Sequence, residues 1–174
     1  RGVKGSVARR GLCGDVYLNS TPAGPRIAGN RIETSLRRWE VTANVRMEKL
    51  AAIGTYVLQV RVTDGAQSVV AFKSRAFEAN DLVEGRLSVT QRWRPEKLWD
   101  IHTPGNLYRM TVSLLGRGGA VLDQGLPRRF GFREFWIDGR DFYLNGTRLF
   151  LSAIPFDNAQ VSAGAATYAA ALET

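Results

Sequence analysis

The sequence reads Trp39-Glu-Val-Thr-Ala-Asn-Val-Arg-Met-Glu48, a continuous alternation of apolar and polar side chains. The apolar side chains all stand at odd positions, namely Trp39, Val41, Ala43, Val45 and Met47. Successive side chains of a strand point to opposite faces, so a period of two predicts a β-strand with one buried and one solvated face. In this interpretation Trp39 is the first inward-facing residue of the strand.

Several other segments repeat this period and are separated by turn residues. The clearest are Tyr56–Thr63, which ends at Asp64-Gly65, and Met110–Leu114, which ends at a glycine-rich run. Further candidate strands are 26–35, 69–77, 87–93 and 128–137. Short strands at this spacing predict an all-β chain, an immunoglobulin-like antiparallel β-sandwich of about 100 residues. Cys13 is the only cysteine, so the disulfide pattern of antibody-type domains is absent.

Two tight turns follow the predicted sandwich. Asp138-Gly139 separates the apolar segments 135–137 and 142–144, and Asn145-Gly146 separates the second of these from 149–151. Asn-Gly favours a type I′ hairpin because both central residues need positive φ. The Ala-rich segment 163–174 predicts the start of a helix. This order predicts a C-terminal hairpin and a truncated first β/α unit of a TIM barrel.

The composition is globular, with a basic balance. The 174 residues suffice for one ordinary domain, and 24 Lys+Arg against 16 Asp+Glu give a formal net charge of +8. The cations cluster at the N-terminus and at Arg128-Arg129, whereas the others alternate along strands, so we expect no nucleic-acid binding. No apolar run approaches the roughly 20 residues of a membrane span, so we expect no membrane association.

The polar residues do not assemble into a recognisable catalytic motif. Five glutamates on or beside predicted strands are interpreted as solvated strand-face carboxylates: Glu33, Glu40, Glu48, Glu78 and Glu84. His102 stands near Asp100, but no Gly-x-Ser-x-Gly elbow supplies a nucleophile. One His and one Cys leave zinc without its usual ligands, and no Gly-rich phosphate loop precedes a helix, so no metal and no cofactor are predicted.

The four tryptophans admit two interpretations. Sugars stack on aromatic faces, so exposed Trp93 or Trp136 would indicate a carbohydrate-binding surface. Trp39 shares the alternation of Val41 and Val45 and is interpreted as a core residue, and core is the favoured interpretation of all four rings.

An ordered set of motifs resembles glycoside hydrolase family 2, the β-galactosidase and β-glucuronidase group. The motifs are Gly14–Leu18, Leu98-Trp99-Asp100 with Pro104 and Leu107-Tyr108, Phe130–Glu134 and Phe142–Gly146. The resemblance implies that 1–24 is the tail of a preceding jelly-roll sugar-binding domain with its linker. It implies an immunoglobulin-like sandwich over 25–137. Residues 138–174 would be the hairpin, first strand and first helix start of the catalytic barrel, with Glu134 and Arg133 forming an ion pair at the join.

The family resemblance also sets expectations about function. Family 2 enzymes are retaining β-glycosidases whose two glutamates lie on later barrel strands, so this chain is predicted to be an inactive, non-catalytic scaffold of a glycosidase. The sequence does not identify the cellular compartment of the parent enzyme. A secreted or periplasmic location is the one considered. Its partners would be the jelly-roll and barrel domains of the same parent and, through the parent, a carbohydrate substrate. A stand-alone carbohydrate-binding β-sandwich module is the alternative.

The predicted barrel entry departs from the family pattern. Pro155–Gln160 replaces the usual Asn followed by a basic residue and His, and Ile101-His102 stand where the family has a proline. If 149–154 is the first barrel strand, Asp157 and Asn158 follow its C-terminal end, where barrel substrates bind, and become candidate substrate-binding residues of the full enzyme. Apolar side chains that a barrel would cover predict self-association through Phe150, Leu151, Ile154 and Phe156.

Overall fold

The computed structural model describes residues 20–151, together with Val16 and Leu18. In this range the chain forms the strands β1 Arg26–Ser35, β2 Glu40–Glu48, β3 Val57–Asp64, β4 Gln67–Lys73, β5 Arg86–Arg92, β6 Tyr108–Leu115, β7 Val121–Gln124, β8 Arg128–Phe130, β9 Phe135–Asp138, β10 Asp141–Leu144 and β11 Thr147–Leu149. Two short 3-10 turns cover Ala79–Asp81 and Arg117–Gly119. Within the described range no helix has the length and apolar character needed to cross a membrane.

The strands form three antiparallel sheets. The three-stranded sheet has the order β1-β2-β5, and the five-stranded sheet has the order β4-β3-β6-β7 with β8 also paired to β6. β7 and β8 follow one another along the same edge of β6, because β7 pairs with 113–115 and β8 with 108–110. The small sheet has the order β11-β10-β9. The predicted all-β, antiparallel sandwich is confirmed.

The core lies between the first two sheets and is built from the alternating residues. On β2, β3 and β6 the inward side chains are buried: Val41, Ala43, Val45, Met47, Leu58, Val60, Val62, Tyr108, Met110, Val112 and Leu114. The intervening residues of these strands are less buried, as a two-residue period requires. The sequence prediction for these three strands is therefore confirmed.

Trp39 is placed differently from the prediction. It lies in the turn before β2 with φ of 52°, and its backbone N–H donates to the Leu36 carbonyl at 3.3 Å. The left-handed backbone reverses the chain direction, so Trp39 does not continue the alternation of β2. Its ring is half-buried and stacks against Phe132 with centroids 6.2 Å apart.

The predicted single strand 128–137 is wrong. It is divided into β8, which pairs with β6, and β9, which belongs to the small sheet. Between them the backbone N–H of Trp99 donates to the Phe132 carbonyl, and both backbone polar groups of Glu134 bond to Asn145. The chain changes hydrogen-bond partners in this segment, so it cannot continue one ladder. β7 was not predicted, because its four residues show no alternation.

The small sheet is a three-strand meander with tight turns. Asn145 and Gly146 have φ of 51° and 89°, which confirms the prediction that both central residues of this turn are left-handed. One face carries apolar side chains, namely Phe135, Ile137, Phe142, Leu144 and Leu149. Of these, Leu144 is buried, whereas Phe135 and Ile137 are exposed within the described chain.

Several predicted features lie outside the described residues. They are most of the segment 1–24, the continuation of the predicted barrel strand with Ile154 and Phe156, the candidate substrate-binding residues Asp157 and Asn158, and the predicted helix 163–174.

Candidate functional site

The most heavily bonded polar region of the described chain joins the sandwich to the small sheet. We call this group of side chains the join cluster: Arg37, Trp99, Arg133, Glu134, Trp136 and Asn145. Arg37 lies in the turn after β1, Trp99 in the loop before β6, Arg133 and Glu134 between β8 and β9, Trp136 on β9, and Asn145 in the turn after β10. The cluster thus brings together segments that are distant in the sequence.

The carboxylate of Glu134 is the centre of the join cluster. Its Oε1 accepts from Arg37 Nε at 2.7 Å and lies 2.6 Å from Arg37 Nη2. Its Oε2 accepts from the Arg37 backbone N–H at 2.9 Å and from Ser35 Oγ at 3.1 Å. The side chain is only 11% exposed. Glu134 therefore fixes the β1–β2 turn, and its ion-pair partner is Arg37 rather than the predicted Arg133.

The protonation of Glu134 follows from these contacts. Burial acts to raise its pKa, but the hydrogen bonds from Arg37 and Ser35, together with the charge of Arg37, outweigh that effect. The pKa of Glu134 is consequently lower than its ordinary value, and the group is ionised near neutral pH. A carboxylate held in this way cannot serve as a general acid, which needs a raised pKa.

Asn145 connects three segments through its side chain and backbone. Its Nδ2 donates to the Trp99 carbonyl at 2.8 Å, and its Oδ1 accepts from the Glu134 backbone N–H at 3.0 Å. Its own backbone N–H donates to the Glu134 carbonyl at 2.9 Å. The tip of the small-sheet turn is thereby attached to the loop before β6.

Trp99 occupies a site shaped by a glycine. A Cβ on Gly131 would overlap the Cβ and ring of Trp99, so only glycine leaves room for the Trp99 side chain at this position. The guanidinium of Arg133 lies 4.2 Å from the centroid of the Trp99 ring, within cation–π range. Thr34 Oγ1 donates to the Arg133 carbonyl at 2.5 Å, which attaches the same segment to β1.

Trp136 is the aromatic side chain that the small sheet contributes to the join cluster. Its ring stacks on Tyr143, with centroids 5.5 Å apart, and the guanidinium of Arg37 lies 4.8 Å from its ring. Arg37 therefore contacts both the Glu134 carboxylate and the Trp136 ring. The orientation of the small sheet is set in part by an arginine that belongs to the sandwich.

A cavity of about 390 Å³ adjoins the join cluster. It is lined by Thr34, Arg129, Gly131, Arg133 and Glu134, with apolar walls from Ile32, Phe130 and Phe135. Among the described residues, the only carboxylate in its lining is Glu134, which is already paired. Glycoside hydrolysis needs two carboxyl groups, so this cavity lacks the groups for that chemistry.

The other glutamates considered as catalysts have structural contacts or are exposed. Glu33, Glu40 and Glu48 lie on the outer face of the three-stranded sheet, paired with Arg31, Arg38 and Arg26 at 3.3, 2.8 and 2.7 Å. Glu78 caps the 3-10 turn at Ala79–Asp81, and Glu84 lies in an exposed turn with φ of 51°.

His102 and Asp100 do not form a catalytic pair. Asp100 Oδ1 accepts from the backbone N–H of His102 at 3.2 Å, and the imidazole lies in an exposed turn. Between residues 20 and 151 no three His, Cys, Asp or Glu side chains lie close enough together to hold a metal ion.

The tryptophan rings are engaged within the protein. Trp93 packs against the core, with its ring centroid 4.9 Å from Tyr108 and 5.5 Å from Phe132. Trp39 stacks against Phe132 and receives the guanidinium of Arg94 at 4.7 Å. Trp99 and Trp136 belong to the join cluster. None of the four presents an isolated platform for a sugar.

Part of the join cluster was visible in the sequence and part was not. Phe130–Glu134 and Phe142–Gly146 were singled out, but as fold markers. Arg37 was missed because it stands in an unremarkable run, Arg37-Arg38-Trp39, that is distant in sequence from Glu134. Asn145 was interpreted only as a turn residue, so the hydrogen bonds of its side chain were not predicted.

Among the described residues, a polar and aromatic cluster fixes the sandwich to the small sheet, and no catalytic constellation is present. The sequence profile of glycosyl hydrolases family 2 matches residues 26–133, more than half of the chain. The chain belongs to this family, and the predicted resemblance is confirmed. No curated protein sequence matches the chain.

Solved structures of similar fold include glycosidases of several bacteria. The β-galacturonidase of Eisenbergiella tayi, solved with galacturonate, is 24% identical over 74% of this chain and 22% of its own, with a TM-score of 0.51. A β-glucuronidase of Bacteroides uniformis is 22% identical over 72% of this chain and 16% of its own, with a TM-score of 0.49. A β-glucuronidase of Ruminococcus gnavus is 17% identical over 75% of this chain and 19% of its own, with a TM-score of 0.47. The chain thus spans about a fifth of the length of these structures.

Proposed function

We propose that this chain is the non-catalytic scaffold of a family 2 glycoside hydrolase and that its join cluster sets the position of the catalytic domain. The observation that carries the proposal is Glu134, whose carboxylate accepts from four donors of Ser35 and Arg37 in the sandwich and whose backbone bonds to Asn145 of the small sheet. Such a connection fixes the orientation of the small sheet relative to the sandwich, because each partner belongs to an ordered sheet or tight turn. It supplies no pair of carboxyl groups for hydrolysis.

The small sheet supports the second half of this proposal. Its apolar face, with Phe135, Ile137, Phe142 and Leu149, is incompletely covered within the described chain, and Phe150 beyond it is 94% exposed. Exposed apolar groups of this extent mark a contact surface. We propose that the catalytic barrel of the same parent covers this face.

The proposed division of the parent is the one that the family resemblance implies. Residues 1–24 belong to the preceding jelly-roll domain and its linker, 25–137 to the sandwich, and 138–174 to the start of the barrel. The small sheet already begins at Phe135, three residues before the proposed boundary. Asp157 and Asn158 are proposed to contact the sugar in the full enzyme, which would act by the retaining mechanism through two glutamates of the barrel.

An activity assay tests the non-catalytic assignment. The 174-residue chain, incubated with a panel of aryl β-glycosides, is expected to release no aryl alcohol above the buffer rate, because its described carboxylates are paired or solvent-exposed. A matched variant, Glu134→Gln, serves as the control for contaminating hydrolase. Turnover by the natural chain that this variant lacks would show that Glu134 is catalytic and would contradict the proposal.

A further inference from the structure

The two outer faces of the sandwich differ in their carboxylates. The outer face of the three-stranded sheet carries Glu33, Glu40 and Glu48, each within 4 Å of an arginine. The outward positions of the five-stranded sheet carry no carboxylate among the described residues. They carry four exposed cations, Arg61, Lys73, Arg109 and Arg129. We call this second surface the cationic face.

The cations of this face have no acidic partner within the described chain. None of the four forms a salt bridge with a carboxylate of residues 20–151. On the opposite face, Arg26, Arg31 and Arg46 are paired with glutamates, whereas Arg86 and Arg92 are exposed and form no salt bridge within that range. Arg109 on β6 stands directly opposite Arg129 on β8. Like charges in that position destabilise a sheet, so the arrangement is unfavourable unless an anion lies between or above them. On the opposite face Arg46 likewise stands opposite Arg86, but there Glu48 lies 3.4 Å from Arg46, and the Arg109–Arg129 pair has no such carboxylate within the described chain.

The geometry of the strands brings a third guanidinium into reach. Thr63 is the β3 partner of Arg109, and Arg61 precedes it by two residues on the same face. The diagonal distance between such positions is about 7–8 Å, short enough for long side chains to share one ligand. Arg61, Arg109 and Arg129 therefore form a line across three adjacent strands, β3, β6 and β8.

A groove with polar side chains and an apolar wall of Leu115, Val121 and Pro127 continues from this line of arginines. Its volume is about 390 Å³, and its lining includes Gln59, Arg61, Thr111, Ser113 and Gln124. The Gln124 amide donates to Ser113 Oγ at 3.0 Å, and the other amide and hydroxyl groups face the groove. Side-chain amides and hydroxyls both donate and accept hydrogen bonds, which suits a ligand rich in hydroxyl groups.

From these features we infer that the cationic face binds a carboxylate-bearing polysaccharide, with the sugar carboxylates on Arg61, Arg109 and Arg129 and the sugar hydroxyls in the groove. The planar fork of a guanidinium matches the geometry of a carboxylate. The cations of this face alternate with neutral polar side chains. This spacing matches a polysaccharide in which each sugar carries one carboxylate and several hydroxyl groups. No aromatic ring occupies the outward strand positions of the described face, so the base stacking used by single-stranded nucleic-acid sites has no platform.

The inference extends the proposed function, since it gives the scaffold a second role, which is to hold an acidic polymer near the parent enzyme. It does not depend on hydrolysis by this chain. Loss of polymer binding would leave the scaffold proposal intact, and hydrolytic turnover by the chain would leave the cationic face intact. The two proposals are thus separable by experiment.

Calorimetric titration of the 174-residue chain with polygalacturonate tests the inference, with a single-stranded DNA oligonucleotide as the competing polyanion. The test variant is R61Q/R109Q/R129Q, and the matched control is R31Q/R86Q/R92Q on the opposite sheet, which changes the net charge equally. Circular dichroism checks that both variants fold. We expect the test variant to bind polygalacturonate roughly tenfold or more weakly, because charge-assisted hydrogen bonds are lost. The control should bind like the natural chain.

Three results would overturn the inference. They are no binding of polygalacturonate by the natural chain, equal weakening in both variants, and DNA binding as tight as polygalacturonate binding. The second would show that net charge alone attracts the polymer. The third would show that the face selects charge without selecting carbohydrate.

Discussion

At the scale of single residues, the join depends on side chains with several partners each. Glu134 accepts hydrogen bonds from the turn after β1, and Asn145 bonds both to Glu134 and to the loop before β6. Removing either side chain leaves donors or acceptors of other segments unpaired, which costs more than the loss of one exposed hydrogen bond. Arg37 is more exposed, at 59%, so part of its charge is screened by solvent.

Asn145 can be tested with two substitutions. Asn145→Gly keeps the left-handed backbone and removes the two side-chain hydrogen bonds, so we expect a loss of about 1–2 kcal/mol in the free energy of unfolding. Asn145→Ala adds the cost of a left-handed non-glycine residue, about 1 kcal/mol more. Urea unfolding measures both. A glycine variant as stable as the natural chain would show that the bonds to Trp99 and Glu134 contribute nothing.

At the scale of strands and sheets, the alternation in the sequence correctly predicted the strands that bury one face in the core. β2, β3 and β6 cross the core, so their buried positions must be apolar and their alternation is visible in the sequence. β7 is short and mostly exposed, so packing leaves no pattern in it. The strand 128–137 was predicted as continuous although Gly131 lies within it; an isolated glycine indicates a bulge or a close backbone approach but does not reveal a change of partner strand.

The reason for that division lies in distant segments. Gly131 is placed against Trp99, and Glu134 is bonded to the turn at Asn145. Sequence periodicity describes one segment at a time and carries no information on such contacts. The site was predicted less well than the fold for the same reason: the Glu134–Arg37 pair joins residues 97 positions apart.

The exposed end of the small sheet leads to a prediction about association. Phe150 is 94% exposed next to the apolar face, and Leu151 is also exposed. We therefore expect the 174-residue chain to self-associate as its concentration rises, and Phe150→Ser to reduce this association in sedimentation velocity. Ile53→Ser is the matched control, because Ile53 is 98% exposed but distant in sequence from the small sheet. A monomeric natural chain, or an equal effect of both substitutions, would contradict the prediction.

At the scale of the whole molecule, the join makes the stability of the folded chain depend on pH in the acidic range. The pKa of Glu134 is lowered in the folded chain, and the hydrogen bond from Arg26 likewise lowers the pKa of Glu48. A lowered folded pKa contributes stability that is present above the unfolded value, about 4.3, and is lost as pH falls through the folded value. The chain should therefore lose stability below about pH 4.3.

Glu134→Gln isolates the part of this acid sensitivity that belongs to the join. At pH 7 we expect the variant to be less stable by about 1–3 kcal/mol, since Arg37 and Ser35 lose a charged acceptor. The difference from the natural chain should narrow below about pH 4.3, where Glu134 itself becomes protonated. Thermal unfolding across the pH range measures it, with Glu96→Gln as the control at a glutamate outside the join cluster. A difference that stays constant with pH would contradict the assignment.

The long sequence separation within the join has a consequence for the order of folding. The turns of the small sheet close between residues only a few positions apart. Arg37, by contrast, cannot form its ion pair until Glu134, 97 residues later, has been synthesised. At a synthesis rate of about 5–20 residues per second, that wait lasts roughly 5–20 seconds. Phe132, the last buried residue before the join, precedes Glu134 by two positions, so the sandwich core becomes complete only at the end of that interval. The core and the ion pair of Arg37 and Glu134 therefore become possible almost together, and the strands of the small sheet, which are synthesised next, meet a sandwich that is already complete.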